Sequence, residues 1–178
     1  DLNFQNVAFE IRVTSSGETM NANGYDRIDF LISTNTGEAL KELAQVASGG
    51  ELSRIMLALK TVLADKDEIE TLIFDEIDTG ISGKTAWKVS EKMGILGGGH
   101  QLICITHLPQ IAAMADRHFC IEKSVEGNRS VTNIRCLDEK ESIEEVARML
   151  GGASITETVM NNAAEMKELA GKTKQNKK

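Results

Sequence analysis

The sequence is short of cysteine, histidine, positive charge and long apolar runs, and each shortage removes a class of protein. Its three cysteines, Cys104, Cys120 and Cys136, are an odd number with no C-x-x-C pair. Each lies in an apolar, strand-like context (LICIT, HFCIE, IRCLD), which predicts buried free thiols in a reducing compartment. Three histidines without close ligand spacing do not make a zinc site. The formal net charge of −7, with a pI near 5.1, argues against a broad basic surface for duplex DNA. A local basic patch, or DNA contact through another part of the protein, stays open. No apolar run approaches the ~18–20 residues that span a bilayer, and DLNFQNVAFE lacks the basic segment and apolar core of a signal peptide. A cytoplasmic protein without membrane contact is therefore expected. The opening at Asp1, without an initiator Met, fits a segment of a longer protein.

What is present is globular: 41% apolar and 26% charged residues with a single proline. A length of 178 residues suffices for one domain with a sizeable core, or for part of a larger one. Residues 1–170 are expected to form a single domain, and GKTKQNKK (171–178) a basic, polar, disordered tail. There is no internal repeat and no linker long enough to divide two domains.

Along the chain, QNVAFEIRV (5–13) and RIDFLIS (27–33) have strand character, separated by a turn-rich segment. Leu40, Leu43 and Val46 give a short helical period ending at Ala47. Ser48 followed by Glu51 is a capping-box pattern ahead of a helix whose apolar set is Leu52, Ile55, Met56, Leu59, Val62 and Leu63. TLIF (71–74) reads as a strand buried on both faces. A helix over 84–96, with Ala86, Val89 and Met93 inward, leads to a second apolar strand at 101–105. Strand, helix, strand of this length implies a parallel pair joined by a crossover. LPQIAAMADR is a short helix, and HFCIEKS with SVTNIRCLD a hairpin across 126–128. A helix over EKESIEEVARMLGG stops at Gly151, and another covers 154–170.

Three motifs carry possible chemistry, and each also has an ordinary structural reading. Asp75 and Glu76 end the strand TLIF at the carboxyl edge of the expected sheet, where open α/β folds bind ligands. Nucleotide hydrolases present a Mg²⁺ ligand and a water-orienting base in this way, although an acidic turn after a core strand looks the same. Ser48-Gly49-Gly50-Glu51 places two glycines and a hydroxyl at a helix start, which suits a terminal phosphate; a glycine-rich helix start is the plainer reading. His107, after the second strand, falls at the same edge as Asp75 and Glu76 and could contact a γ-phosphate, or be a hydrogen-bonded structural residue. Gly83-Lys84-Thr85 mimics the end of a P-loop, but Asp78 stands where its first glycine is required. Lys84 and Thr85 are read as the start of the following helix, which leaves the sequence without a P-loop.

Taken together, SGGE opening a helix, a strand ending in Asp-Glu and a later strand ending in His form an ordered set. It resembles the second half of an ABC-type ATPase head, with signature motif, Walker B strand, D-loop and switch histidine. ASGGELSRIMLALK (47–60), FDEIDTGISG (74–83), THLPQIAAMAD (106–116) and VARMLGG (146–152) resemble the RecN family of bacterial DNA repair proteins, relatives of the SMC proteins. The resemblance implies an α/β, P-loop NTPase-like fold. It would be the C-terminal half of an ABC/SMC head: a parallel core sheet with flanking helices, preceded by antiparallel strands. It implies ATP and Mg²⁺ as ligands and ATP hydrolysis across a homodimer of heads in double-strand-break repair and recombination. The P-loop would come from the N-terminal half of the same protein, and DNA would be contacted by other regions near the bacterial nucleoid. Asp75 would hold Mg²⁺ through water, Glu76 would orient or deprotonate the attacking water, and His107 would be the switch residue. Ser48, Gly49 and Gly50, with Glu51, would meet the γ-phosphate of ATP held by the partner head. Asp78, Thr79, Gly80 and Ser82 would form the D-loop. Many ABC proteins have Asp where this chain has Ser82, which puts the contacts of that Asp in doubt here. Thr36 stands where the family often has Pro. An ABC transporter would continue the signature with a Gln- and Arg-rich run, where Glu51-Leu52-Ser53-Arg54 stands instead. Two other functions remain on this reading: a dimerisation or interaction module without catalysis, and half of another SMC-like or transporter ATPase.

Overall fold

The computed structural model describes residues 2, 4, 6–15, 17, 20, 22, 24–35, 37–45, 48–66, 68–127, 129–152 and 154–175. Strands β1 (Ala8–Ser15) and β2 (Asp26–Ser33) pair antiparallel, and the short β3 (Lys41–Glu42) joins the other edge of β2. The register sets Phe9, Ile11 and Val13 opposite Ile32, Phe30 and Ile28, so three successive cross-strand pairs on one face of the ribbon are apolar. The Phe9 and Phe30 rings stack with centroids 6.2 Å apart. Much of this face is exposed, Val13 and Ile28 included. The helical period expected over 40–46 is instead β3 and a single 3-10 turn, Leu43–Gln45; Val46 and Ala47 lie outside the described residues. So short a stretch cannot repay helix nucleation, and Lys41 and Glu42 find strand partners in Ile32 and Leu31.

Helix α1 (Gly49–Leu63) leads to strand β4 (Thr71–Phe74), helix α2 (Gly83–Leu96) and strand β5 (Gln101–Cys104). β4 and β5 are parallel, in register from Thr71↔Gln101 to Phe74↔Cys104, as the spacing requires. Their inner face, α1, α2 and the loop after β4 build the main core: Leu57, Leu72, Phe74, Ile77, Val89 and Leu96 are its centre. Each such side chain contributes about 1.5–3 kcal/mol relative to exposure. Ala86, Val89 and Met93 of α2 are buried as expected.

Two expectations about burial fail here. β4 is covered on one face only: Leu72 and Phe74 are buried, but Ile73 is 69% exposed. On α1 the buried residues are Gly50, Arg54, Ile55 and Leu57, whereas Met56, Val62 and Leu63 are exposed. The helix is apolar on more than one side, so periodicity does not choose between stripes. The stripe that wins carries the residue small enough to let the chain after β4 approach.

Helix α3 (Pro109–Met114) starts on Pro109, whose missing N–H costs nothing in a first turn. β6 (Phe119–Glu126) and β7 (Arg129–Cys136) form the expected hairpin; Asn128 lies outside the described residues. Helix α4 (Glu139–Gly151) opens with a full capping box, in which Asp138 Oδ1 accepts from Glu141 N and Glu141 Oε2 from Asp138 N. It stops on Gly152, which takes φ +61°, rather than on Gly151. All three cysteines are free; Cys104 and Cys120 are partly buried, but Cys136 is exposed on the hairpin. Helix α5 (Glu157–Gln175) starts later than the expected Ser154 and runs into the stretch expected to be disordered. Lys172 pairs with Glu168, while Lys174 Nζ donates to the Met114 carbonyl at 3.1 Å and meets Asp116 at 2.6 Å. Lys174 of the tail thus has acceptors at the end of α3, and residues 171–175 are helical; 176–178 lie outside the described residues.

A polar node around the buried Ser142, with His118 and Lys167 half-buried, ties the hairpin to the two C-terminal helices. Lys167 Nζ donates to the Ser142 hydroxyl at 2.7 Å, and that hydroxyl lies 2.9 Å from His118 Nδ1. Burial, with Lys167 nearby, lowers the pKa of His118 against the opposing pull of Glu145. The unfolded chain therefore binds more protons near and below pH ~6.5 than the folded one. Stability should fall as the pH drops through that range. His118→Gln should flatten this dependence in urea unfolding followed between pH 7 and 5, and equal slopes for the two proteins would refute it.

Candidate functional site

The carboxyl ends of β4 and β5 and the start of α1 meet at one edge. Ser48 is the N-cap of α1: its hydroxyl accepts from Glu51 N at 3.2 Å and its carbonyl from Leu52 N at 3.0 Å. The hydroxyl keeps its own hydrogen to donate. Gly49 is exposed and Gly50 buried. A Cβ built on Gly50 would lie 2.8 Å from the Glu76 carbonyl oxygen and 2.9 Å from Thr79 Cβ, and one built on Gly49 would collide with Glu76 Oε2. Gly50 therefore has a packing reason within this chain, beside any phosphate it meets: it lets the loop after β4 lie on the helix start, whereas at Gly49 the Glu76 side chain could swing aside.

That loop is built as two tight turns, Thr79 N to Glu76 O at 3.0 Å and Ile81 N to Asp78 O at 3.4 Å. Glu76 takes φ +57°, the only described residue other than glycine in the left-handed region. Such a conformation is rare without glycine and concentrates at functional sites. Asp75 Oδ1 accepts from Glu76 N at 2.9 Å, and the Asp75 carbonyl is held by the Ser53 hydroxyl at 2.8 Å. Both acidic side chains are exposed. Gly80 at φ +75° turns the loop, and Ser82 caps α2 through its carbonyl, which accepts from Thr85 N and Ala86 N. Lys84 and Thr85 are thus in the first turn of a helix, as their reading away from a P-loop requires.

Asp78 is buried, and its Oδ2 gathers the chain after β5: the Thr106 hydroxyl at 2.6 Å, the His107 N–H at 2.8 Å and His107 Nδ1 at 3.0 Å. The His107 ring itself is 72% exposed. The structure therefore brings Ser48, Gly49, Gly50, Asp75, Glu76, Asp78, Thr79 and His107 together. The negative charge is felt by Cys104 beneath it, whose thiol is pushed up to about 12 by burial first and by Asp78 and Asp75 second. Among the described residues no group of three or more His, Cys, Asp or Glu could hold a metal ion alone. One exposed carboxylate of that kind suits Mg²⁺, which keeps several waters and takes the rest of its ligands from phosphates.

Arg54 has no role in the sequence reading, yet it fixes the loop. Buried on α1, its guanidinium donates to the Thr79 carbonyl at 2.8 Å and the Ile77 carbonyl at 3.2 Å and lies 5.7 Å from the Phe4 ring centroid. Burial lowers its pKa against the pull of Glu51. The signal was its helical phase: it falls one turn beyond Gly50, on the stripe that also carries Leu57. Arg54→Met should cost about 2 kcal/mol or more, because two carbonyls lose a charged donor. Chemical denaturation measures this; a loss within ~0.5 kcal/mol, usual for surface substitutions, would show that the guanidinium does not hold the loop.

No protein-family model matches the chain. It is 44% identical over 178 residues to the DNA repair protein RecN of Halalkalibacterium halodurans, covering 98% of this chain and 32% of that one. It is 50% identical over 143 residues to the DNA repair protein RecN of Treponema pallidum, covering 80% of this chain and 25% of that one. The chain thus spans about a third or less of the length of these curated relatives. Among solved structures, the Smc head domain with a coiled coil and joint derived from Pyrococcus yayanosii aligns with a TM-score of 0.53 at 19% identity, over 78% of this chain and 25% of that one.

Proposed function

The chain belongs to the RecN family, matching the C-terminal part of its members, and from that premise we propose that it is the hydrolytic half of an ATPase head that works in DNA double-strand-break repair and recombination. The observation that carries this reading is the convergence of Asp75, Glu76 and His107 on the carboxyl edge of the parallel β4–β5 pair, beside the Ser48–Gly50 turn.

The roles divide between two heads. Glu76, exposed beyond the strand end, orients or deprotonates the attacking water, and the exposed His107 ring contacts the γ-phosphate. Asp75 would hold Mg²⁺ through water, and the ion would offset the charge of the nucleotide's phosphates. The Ser48 hydroxyl and the Gly49 and Gly50 backbone, with Glu51 set by the cap, close over ATP held by a second head of the same kind. Asp78, Thr79, Gly80 and Ser82 form the loop between the two heads.

The phosphate-cradling loop comes from the N-terminal half of the same protein. The uncovered face of the β4–β5 pair, with Ile73, Ile103 and Ile105 exposed, supports a docking place for that half. DNA is met through other regions, in keeping with the net negative charge of this one, and the protein works at the bacterial nucleoid in the cytoplasm. Among the described residues no helix is long and apolar enough to cross a membrane. The test is ATP-dependent association of the full-length protein, followed by phosphate release. Association with release is the expected result. Association without release would favour a dimerisation module that does not catalyse.

A further inference from the structure

We propose that Asp78 is the positioning residue of His107, fixing its ring orientation and keeping the imidazole proton on Nδ1. The proposal rests on the reading of His107 as a nucleotide-contacting residue, and it adds a residue whose side chain is only 4% exposed and so has little access to nucleotide.

A single carboxylate oxygen, Asp78 Oδ2, receives the Thr106 hydroxyl at 2.6 Å and the His107 backbone N–H at 2.8 Å. The Thr106 hydroxyl in turn accepts from Leu108 N at 3.0 Å. The chain leaving β5 is therefore clamped at three consecutive residues before α3 begins. His107 Nδ1 lies 3.0 Å from the same oxygen. An ionised carboxylate only accepts, and an unprotonated ring nitrogen only accepts. Two such atoms at 3.0 Å repel, and a proton on Nδ1 removes the repulsion. The consequence is that Nε2 is the nitrogen left for the nucleotide: an acceptor in the neutral ring and a donor once the ring is charged. Asp78 belongs to the same loop as Asp75 and Glu76, so the carboxylates that serve water and metal and the His that serves phosphate move as one body. A buried carboxylate that orients an imidazole is a general device for fixing a catalytic tautomer.

Two measurements test this, one of them independent of catalysis. Long-range ¹⁵N–¹H correlation spectra of the histidine-labelled chain report the tautomer of each of its three histidines, and His107→Gln identifies the signal. The expected result is the Nδ1–H form in the unsubstituted protein and its loss in Asp78→Asn. A dominant Nε2–H form in the unsubstituted protein overturns the proposal, whether or not any variant folds. In the full-length protein, Asp78→Asn should lower kcat roughly tenfold or more with KM for ATP little changed. On a His107→Ala background the same substitution should add little further loss. An equal loss on both backgrounds overturns the positioning role. If the Nδ1–H form is found but His107→Ala turns over at full rate, Asp78 positions the ring as proposed and it is the catalytic reading of His107 that fails.

Discussion

Glu76→Gln in the full-length protein should bind ATP as the unsubstituted protein does and hydrolyse it about 10²–10⁴-fold more slowly, the usual worth of a positioned general base. The substitution is chosen for what it keeps. Gln has the length and shape of Glu, so it can occupy the place against Gly49 and accept the same φ of +57° at this turn. Its backbone N–H can still donate to Asp75 Oδ1, and its carbonyl can still accept from Thr79 N to close the turn. Only the capacity to take a proton from water is lost. Equilibrium binding of nucleotide and single-turnover phosphate release separate the two effects. Release near the unsubstituted rate would remove Glu76 as the base and leave its unusual backbone conformation without a catalytic explanation.

The site was more legible in the sequence than the packing around it. Strand ends and helix starts are local features, written in adjacent residues, so Asp75, Glu76 and His107 could be placed on one edge by counting elements, and Ser48 at a helix start by its cap pattern. The side chains that fasten that edge were not so written. Arg54 acts on carbonyls beyond β4, and Asp78 on the chain beyond β5. Both contacts join segments far apart in sequence, and neither residue type announces its partner. Burial was the least legible. Ile73 and Val62 follow the pattern of core residues and yet are exposed, because an apolar stripe does not say which neighbour covers it. The helix end at Gln175 was missed for a similar reason: Lys174 is held by Asp116 and the Met114 carbonyl, tertiary partners that composition cannot reveal.

The second large effect concerns the chain by itself. Its acidic residues are poised at the strand ends, but the sequence has no G-x-x-x-x-G-K-[ST] to cradle a triphosphate. Asp75, Glu76 and Asp78 sit together without that cradle, and their charge opposes an incoming polyanion. The isolated chain should therefore bind ATP weakly and show negligible turnover. On the proposed reading, the N-terminal half would supply two things: phosphate ligands for the nucleotide, and apolar surface for the open face of β4 and β5, where Ile73 and Ile103 are exposed. Joining the halves should raise activity from background, while Glu76→Gln in the joined protein should return it toward background.

The most direct measurement is steady-state phosphate release by the purified 178-residue chain, alone and together with the P-loop-bearing N-terminal part. The composite-site account predicts release only when both parts are present and Glu76 is intact. Robust release by the chain alone, abolished by Glu76→Gln, would contradict it, because a complete ATPase site would then lie within these residues.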